Sequence, residues 1–406
     1  MNYIKYFTVF LFSFNFIFLE AKTNCEGKKE LWNECFGKSQ LEAGVYEGYF
    51  SNGLFQGKGK FFLDEVNEYL EGEFDRGNLI SGTYYFENGD VYIGEFDGGL
   101  TKEGEGIYKW KEGDTFSGQY KNDLPNGFGK YSYQEGHYFE GFYRDGLRHG
   151  KAKLVNEKGE VYFEGTFKND LKHGEGWELF RGGDKYEGYY FEGNPHGRGT
   201  YTWKNGEVYK GDFFEGINTG FGVGYFTDGS KYEGEWLDNN YHGYGKLIYP
   251  DGNYIVGYYN QGKMEGTGIT YFNNGSKFEA IFLDGEVTGL GKYFYADGDM
   301  FIGEYEKIGG ASKRNGTGTF YYRDGKQFTA SWAQGEVLGI AVLLSERGEI
   351  ISQDWNQSKH KKYINELSGN SLLDDNKIQD DQEKILIYSK KDRESLKIRK
   401  KREIFN

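Results

Sequence analysis

Residues 231–253 read KYEGEWLDNNYHGYGKLIYPDGN, a stretch with four tyrosines, one tryptophan and recurring glycines. The preceding 23 residues, 208–230, read VYKGDFFEGINTGFGVGYFTDGS, and the 23 before those, 185–207, read KYEGYYFEGNPHGRGTYTWKNGE. The stretch is one unit of a tandem array, whose fold depends on how the units stack. Each unit opens on an aromatic: Tyr46, Tyr92, Phe116, Phe139, Phe163, Tyr186, Tyr209, Tyr232, Phe278, Phe301 and Phe328. Leu70 and Ile255 stand at that place in two degenerate copies. The step is 22 to 24 residues, uniformly 23 from Tyr186 to Phe301, and 27 at the last unit. This makes about 13 units.

Within a unit, YEGEW (232–236) alternates, so Tyr232, Gly234 and Trp236 share one face and Glu233 and Glu235 the other. A period of two marks a half-buried strand. LDNNYHG is expected to form a loop, and YGKLIY (244–249) a returning strand that ends at an Asp-Gly turn. Asn88-Gly89, Asn205-Gly206, Asp228-Gly229, Asn274-Gly275, Asp297-Gly298 and Asp324-Gly325 repeat that turn. The expected fold is all-β: an elongated, single-layer antiparallel array of hairpins. Gly-x-Gly pairs such as Gly243/Gly245 and Gly197/Gly199 leave a floor across which the Y-x-G-x-W rings can lie.

Composition agrees with an ordered array. Apolar residues make up only 37% of 406, but 36 Tyr, 34 Phe and 7 Trp set the chain apart from disordered sequences. The 64 Gly are periodic, and only three Pro interrupt a chain of β-ladders.

The N-terminus differs. Lys5, the apolar run YFTVFLFSFNFIFL (6–19) and the small residue Ala21 fit a secretory signal peptide over residues 1–21. The run is shorter than the roughly 20 residues that span a bilayer. Export places the protein in the periplasm or outside the cell, where the chain's two cysteines, Cys25 and Cys35, are expected to pair. Residues 22–44 then form a disulfide-pinned N-terminal cap.

YEGEWLDNNYHGYGKLIYPDG, YEGYYFEGNPHGRGTYTWKNG (186–206) and YFEGFYRDGLRHGKAKLVNEKG (138–159) resemble the MORN repeat, the membrane occupation and recognition nexus. The resemblance covers residues 45–345, and LWNECFG resembles the segment that precedes MORN arrays in exported bacterial members. It implies a twisted hairpin array without catalytic activity, which serves as a scaffold, a protein-binding platform or a membrane-associated part. Tyr46, Gly48, Tyr186, Gly188, Tyr232, Gly234, Trp236, His242, Gly243 and Gly245 are then framework residues.

The array changes towards its end. Ala280 and Ala330 replace the repeat glycine, EKIGGASKRNG (306–316) is read as a basic flexible insertion, and LGIAVLLSERGEI is aliphatic like a terminal cap. Residues 346–406 complete that cap and a charged tail, either helical or disordered. With 13 basic and 9 acidic residues, positions 356–406 carry +4, so a chain of net −14 leaves −18 on residues 1–355.

No catalytic constellation emerges. His149, His173, His196 and His242 recur one per unit before a glycine, which suits a framework rather than converging metal ligands. No Ser/His/Asp set or nucleophile elbow is present. The Gly-x-Gly pairs lack the strand–loop–helix context of a phosphate cradle. No cofactor is expected, and the rings are read first as packing. The expected function is a non-catalytic exported scaffold whose acidic array binds a basic helix or extended segment of a protein. The alternative is an envelope protein that docks on membrane through its tail, or on glycan through exposed rings. Nucleic acid is disfavoured, because an acidic array repels phosphates.

Overall fold

A computed structural model describes residues 23–64 and 66–353. Its local structure follows from two kinds of turn. Strands Lys231–Leu237 and Asn240–Ile248 pair antiparallel, with Tyr232 opposite Leu247 and Gly234 opposite Gly245. Asp238 and Asn239, both left-handed at φ 50° and 65°, join them in a two-residue turn of the kind that matches strand twist. LDNNYHG is therefore a tight turn followed by strand, not a loop. The other turn, after each returning strand, closes on a glycine: Gly229 N–H donates to the Phe226 carbonyl, and Phe226 N–H to that of Ser230. Gly229, at φ 84°, occupies the left-handed region that glycine enters without steric cost.

The chain divides into two units at Val161/Tyr162. In the first, eleven strands run from Cys35–Leu41 to Leu147–Val155, and each pairs antiparallel with its neighbour in sequence. In the second, seventeen strands run from Val161–Lys168, which begins at the boundary, to Ile350–Gln353 by the same rule. The all-β, single-layer antiparallel array is thus what each unit is. All thirteen expected hairpins form, five in the first unit and eight in the second. In the N-terminal segment, Cys25 and Cys35 are disulfide-bonded, strand Cys35–Leu41 joins the sheet, and Trp32 packs on Phe50 at 4.8 Å. Residues 1–21 and the tail 356–406 lie outside the described residues.

Residues 306–316 are not a flexible loop. They lengthen one hairpin by continued pairing, Tyr305 with Arg314 and Ile308 with Ala311, around a Gly309-Gly310 turn. The added residues come in cross-strand pairs, so the ladder grows without losing register.

The core is one face of the sheet. Tyr232 is 0% exposed, and the pattern across Tyr232, Glu233, Gly234, Glu235 and Trp236 alternates between buried and half-buried. The ring lies across Gly234 and Gly245, which face each other on adjacent strands. A Cβ on Gly245 would overlap the Tyr232 ring, and one on Gly234 would come within 2.6 Å of the Gly245 Cα. The same construction sets Tyr46 on Gly48 and Gly59, and Tyr186 on Gly188 and Gly199. A sheet one layer thick buries its rings in the hollow that the missing side chains leave.

Gly245→Ala is therefore expected to destabilise the second unit by about 2 kcal/mol, the usual cost of overpacking a filled site. Gly182→Ala, in a turn with open space around it and ordinary φ, is expected to be neutral. Urea denaturation of the two variants checks this, and equal midpoints would refute the ring-on-glycine contact as a determinant of stability.

Candidate binding surfaces

The buried rings form a ladder in each unit. Tyr186 meets Tyr190 four residues on and Phe213 of the next repeat, both at 5.1 Å and within 7° of perpendicular. Tyr209 repeats this with Phe213 and Trp236, and Tyr232 with Trp236 and Tyr259. In the first unit Phe116 contacts Tyr120 and Tyr143 in the same way. Edge-to-face geometry is what the ring quadrupole prefers, so each ring couples its repeat to the next.

The two glycines of Gly-x-Gly do different jobs. Gly245 is floor, whereas Gly243, at φ 58°, forms a bulge where the register shifts between Gly234 and Glu235. A bulge interrupts the ladder and leaves backbone groups needing partners. Two side chains supply them. The Tyr232 hydroxyl donates to the carbonyls of Glu235 (3.2 Å) and His242 (3.3 Å), and the Glu235 carboxylate accepts from Tyr244 N–H (3.3 Å). Tyr209 and Asp212 repeat both contacts. Where Phe163 lacks the hydroxyl, the Thr166 hydroxyl donates to the His173 carbonyl instead. Glu235, which the alternation places on the face opposite Tyr232, thus caps a backbone amide. Burial pushes the Tyr232 phenol well above its ordinary range, so it stays a protonated donor.

A second set of contacts staples neighbouring repeats. The Asp114 carboxylate accepts from the Tyr131 hydroxyl (2.6 Å) and from Gln134 N–H in the next turn (3.0 Å). Asp184 holds Tyr201 and Lys204 in the same way, and Asp90 holds Tyr108 and Lys111. The Tyr131 hydroxyl, then Gln134 N–H, lowers the Asp114 pKa below its ordinary value. For Asp184 the order is Lys204 N–H, then Tyr201.

The opposite face carries what packing leaves over. His173, Phe191, His196 and Phe214 form a row in the second unit with centroid separations of 5.4, 5.4 and 5.3 Å. Phe191 and Phe214 are 43% and 55% exposed. His242 lies on this face as well, 6.2 Å from Tyr258 and away from the Tyr232–Trp236 cluster. Periodicity marked the histidines but missed their phenylalanine neighbours. The signal was in the doubled aromatics Tyr190-Phe191 and Phe213-Phe214: on a strand one of each pair must face outward. Among the described residues no group of three or more His, Cys, Asp or Glu could hold a metal ion.

The MORN repeat family matches at residues 46–63, 92–115, 116–138, 139–161, 163–185, 186–208, 232–254, 256–277, 278–300 and 311–327, together more than half of the chain. No curated protein matches the chain. Among solved structures it is similar to the SAS-4 (dCPAP) TCP domain of Drosophila melanogaster, in complex with a proline-rich motif of Ana2. The identity there is 15%, the match covers 49% of this chain and 87% of that one, and the TM-score is 0.22. For the TCP10 domain of Danio rerio CPAP the values are 12%, 68%, 99% and 0.14. For a streptogramin B lyase they are 14%, 74%, 91% and 0.13. Scores this low carry no functional weight.

The staples predict an acid limit. A carboxylate whose folded pKa is depressed contributes stability above its unfolded value, near 3.9, and loses it as pH falls through the folded value. Stability is expected to be flat above about pH 5 and to fall below about pH 4. Asp114→Asn cannot titrate there, so its deficit relative to the natural chain should shrink as pH falls. Urea midpoints across that range test it, and a deficit that stays constant would exclude the charged staple.

Proposed function

The chain belongs to the MORN-repeat family, and we propose that it is a non-catalytic, exported scaffold that binds a protein partner across the open face of its sheet. The partner is a basic segment, extended or helical, and the compartment is periplasmic or extracellular. The observation that carries this reading is the exposed row of Phe191, His196 and Phe214. The ladder rings are occupied with one another, so the face that can take a partner is the one opposite them. Exposed aromatics in a row are what protein interfaces use as anchors. An array of −18 attracts a positive segment and sets its approach. The Cys25–Cys35 disulfide supports an oxidising compartment.

The test is a crosslinked pull-down from envelope fractions and culture medium with three proteins: the natural chain, Phe191→Ser/Phe214→Ser, and a chain ending at Trp355. Both changed residues are exposed, so thermal unfolding should stay close to that of the natural chain. The expected result is one protein recovered with the natural and shortened chains and lost with the double variant. Recovery that needs the tail and vanishes in high salt would transfer the function to the tail. Enrichment of lipid or glycan without protein would favour the membrane or glycan reading.

A further inference from the structure

Three departures from the repeat meet at one place on the ladder face of the second unit. Ile255 stands where Phe163, Tyr186, Tyr209, Tyr232, Phe278 and Phe301 bury an aromatic ring, and it is half-buried. Thr270, opposite it, stands where Tyr201 and Tyr293 put a ring. Ala280 replaces the floor glycine beneath Phe278, whose contact with Tyr305 tilts to 57°. The ladder is interrupted there, and a cleft of about 580 Å³ opens between Ile255, Thr270, Phe278, Phe282, Tyr305 and Arg314. That volume lies in the range of sites for small organic ligands.

The lengthened hairpin brings a cation to this cleft. The Arg314 guanidinium donates to the Tyr295 hydroxyl and lies 4.4, 4.7 and 4.9 Å from the ring centroids of Phe301, Phe320 and Trp332. Among the described residues no carboxylate forms an ion pair with it. In a chain of net −14 an arginine caged by three rings without an acidic partner is unusual in its placement. Beside it the Tyr305 hydroxyl is buried, the residue 8% exposed; it faces the Arg314 guanidinium and donates to no acceptor among the described residues. Lys313, on the same strand, adds a second positive charge at the cleft.

We infer that this cleft binds a small monocarboxylate with an apolar, ring-bearing body. The carboxylate pairs with the planar fork of Arg314, which offers two parallel donors, and with the Tyr305 hydroxyl. The body lies against Phe278, Phe282 and the wall that Thr270 leaves open, where rings meet it edge to face. This site is on the opposite face from the proposed partner surface, and the two readings stand or fall separately.

Calorimetric titration of the full chain with 4-phenylbutyrate tests the inference, against 4-phenylbutanol and 4-phenylbutylamine, which share its body but not its charge. Saturable binding of one equivalent of the carboxylate is expected. The alcohol and the amine should bind at least about tenfold more weakly, as loss of a charged hydrogen bond requires. Arg314→Met should lose the same factor and Arg314→Lys less. Thr270→Tyr restores a ring that other repeats carry there, so it should fold, fill the cleft and remove the signal. It keeps the test valid should an Arg314 variant unfold. No saturation by the carboxylate, equal binding of the alcohol or amine, or undiminished binding to folded Thr270→Tyr would each overturn the assignment.

Discussion

The fold depends on a ring lying flat over two glycines. A one-layer sheet has no second layer to cover its apolar face, so it must bury that face within its own thickness. Tyr232 does so by occupying the hollow above Gly234 and Gly245, where any Cβ would collide. Once the first ring is seated, Trp236 and Tyr259 stand edge-on to it. Each of these belongs to, or leads into, another repeat. Burial and inter-repeat coupling are therefore one interaction, and a lone hairpin would lack both.

The same contact organises the polar groups. A bulge at Gly243 shifts the returning strand and frees carbonyls near the tip of the ring. The phenol reaches them, which is a reason for tyrosine over phenylalanine at the head of a unit. Carboxylates on the other face cap the amides that the bulge exposes, and Asp114 and Asp184 fasten successive turns. Surface ion pairs such as Lys263–Asp284 add little to this, because both partners are mostly in water. The surfaces the scheme does not consume are an open face with exposed rings and the cleft in the second unit where Ile255 interrupts the ladder.

Much of this was legible in the residues. The 23-residue recurrence, the alternation of YEGEW and the glycine turns determine a stack of antiparallel hairpins, because strand period and turn chemistry are local properties. The pairing of Cys25 with Cys35 was equally readable, since no other cysteine exists. Local reading failed where a glycine had two possible uses. Gly243 looked like part of a loop because its left-handed conformation serves turns and bulges alike, and only the cross-strand register tells them apart. The insertion at 306–316 looked flexible because two glycines and several charges compose it. Pairing of Tyr305 with Arg314 shows it to be ladder.

What the chain determined by itself is the repeat, because a regular unit such as 231–253 carries its own ring, its own floor and its own turns within 23 residues. What tertiary structure decided is the use of side chains whose partners lie one or two units away. The outward row of Phe191, His196 and Phe214 arises only when adjacent strands are brought into register. The cleft brings together Ile255, Thr270 and Arg314, residues spread over some 60 positions, each an isolated blemish when read along the chain. Periodicity reports what is alike between units. A site made of differences appears only when stacking places those differences side by side.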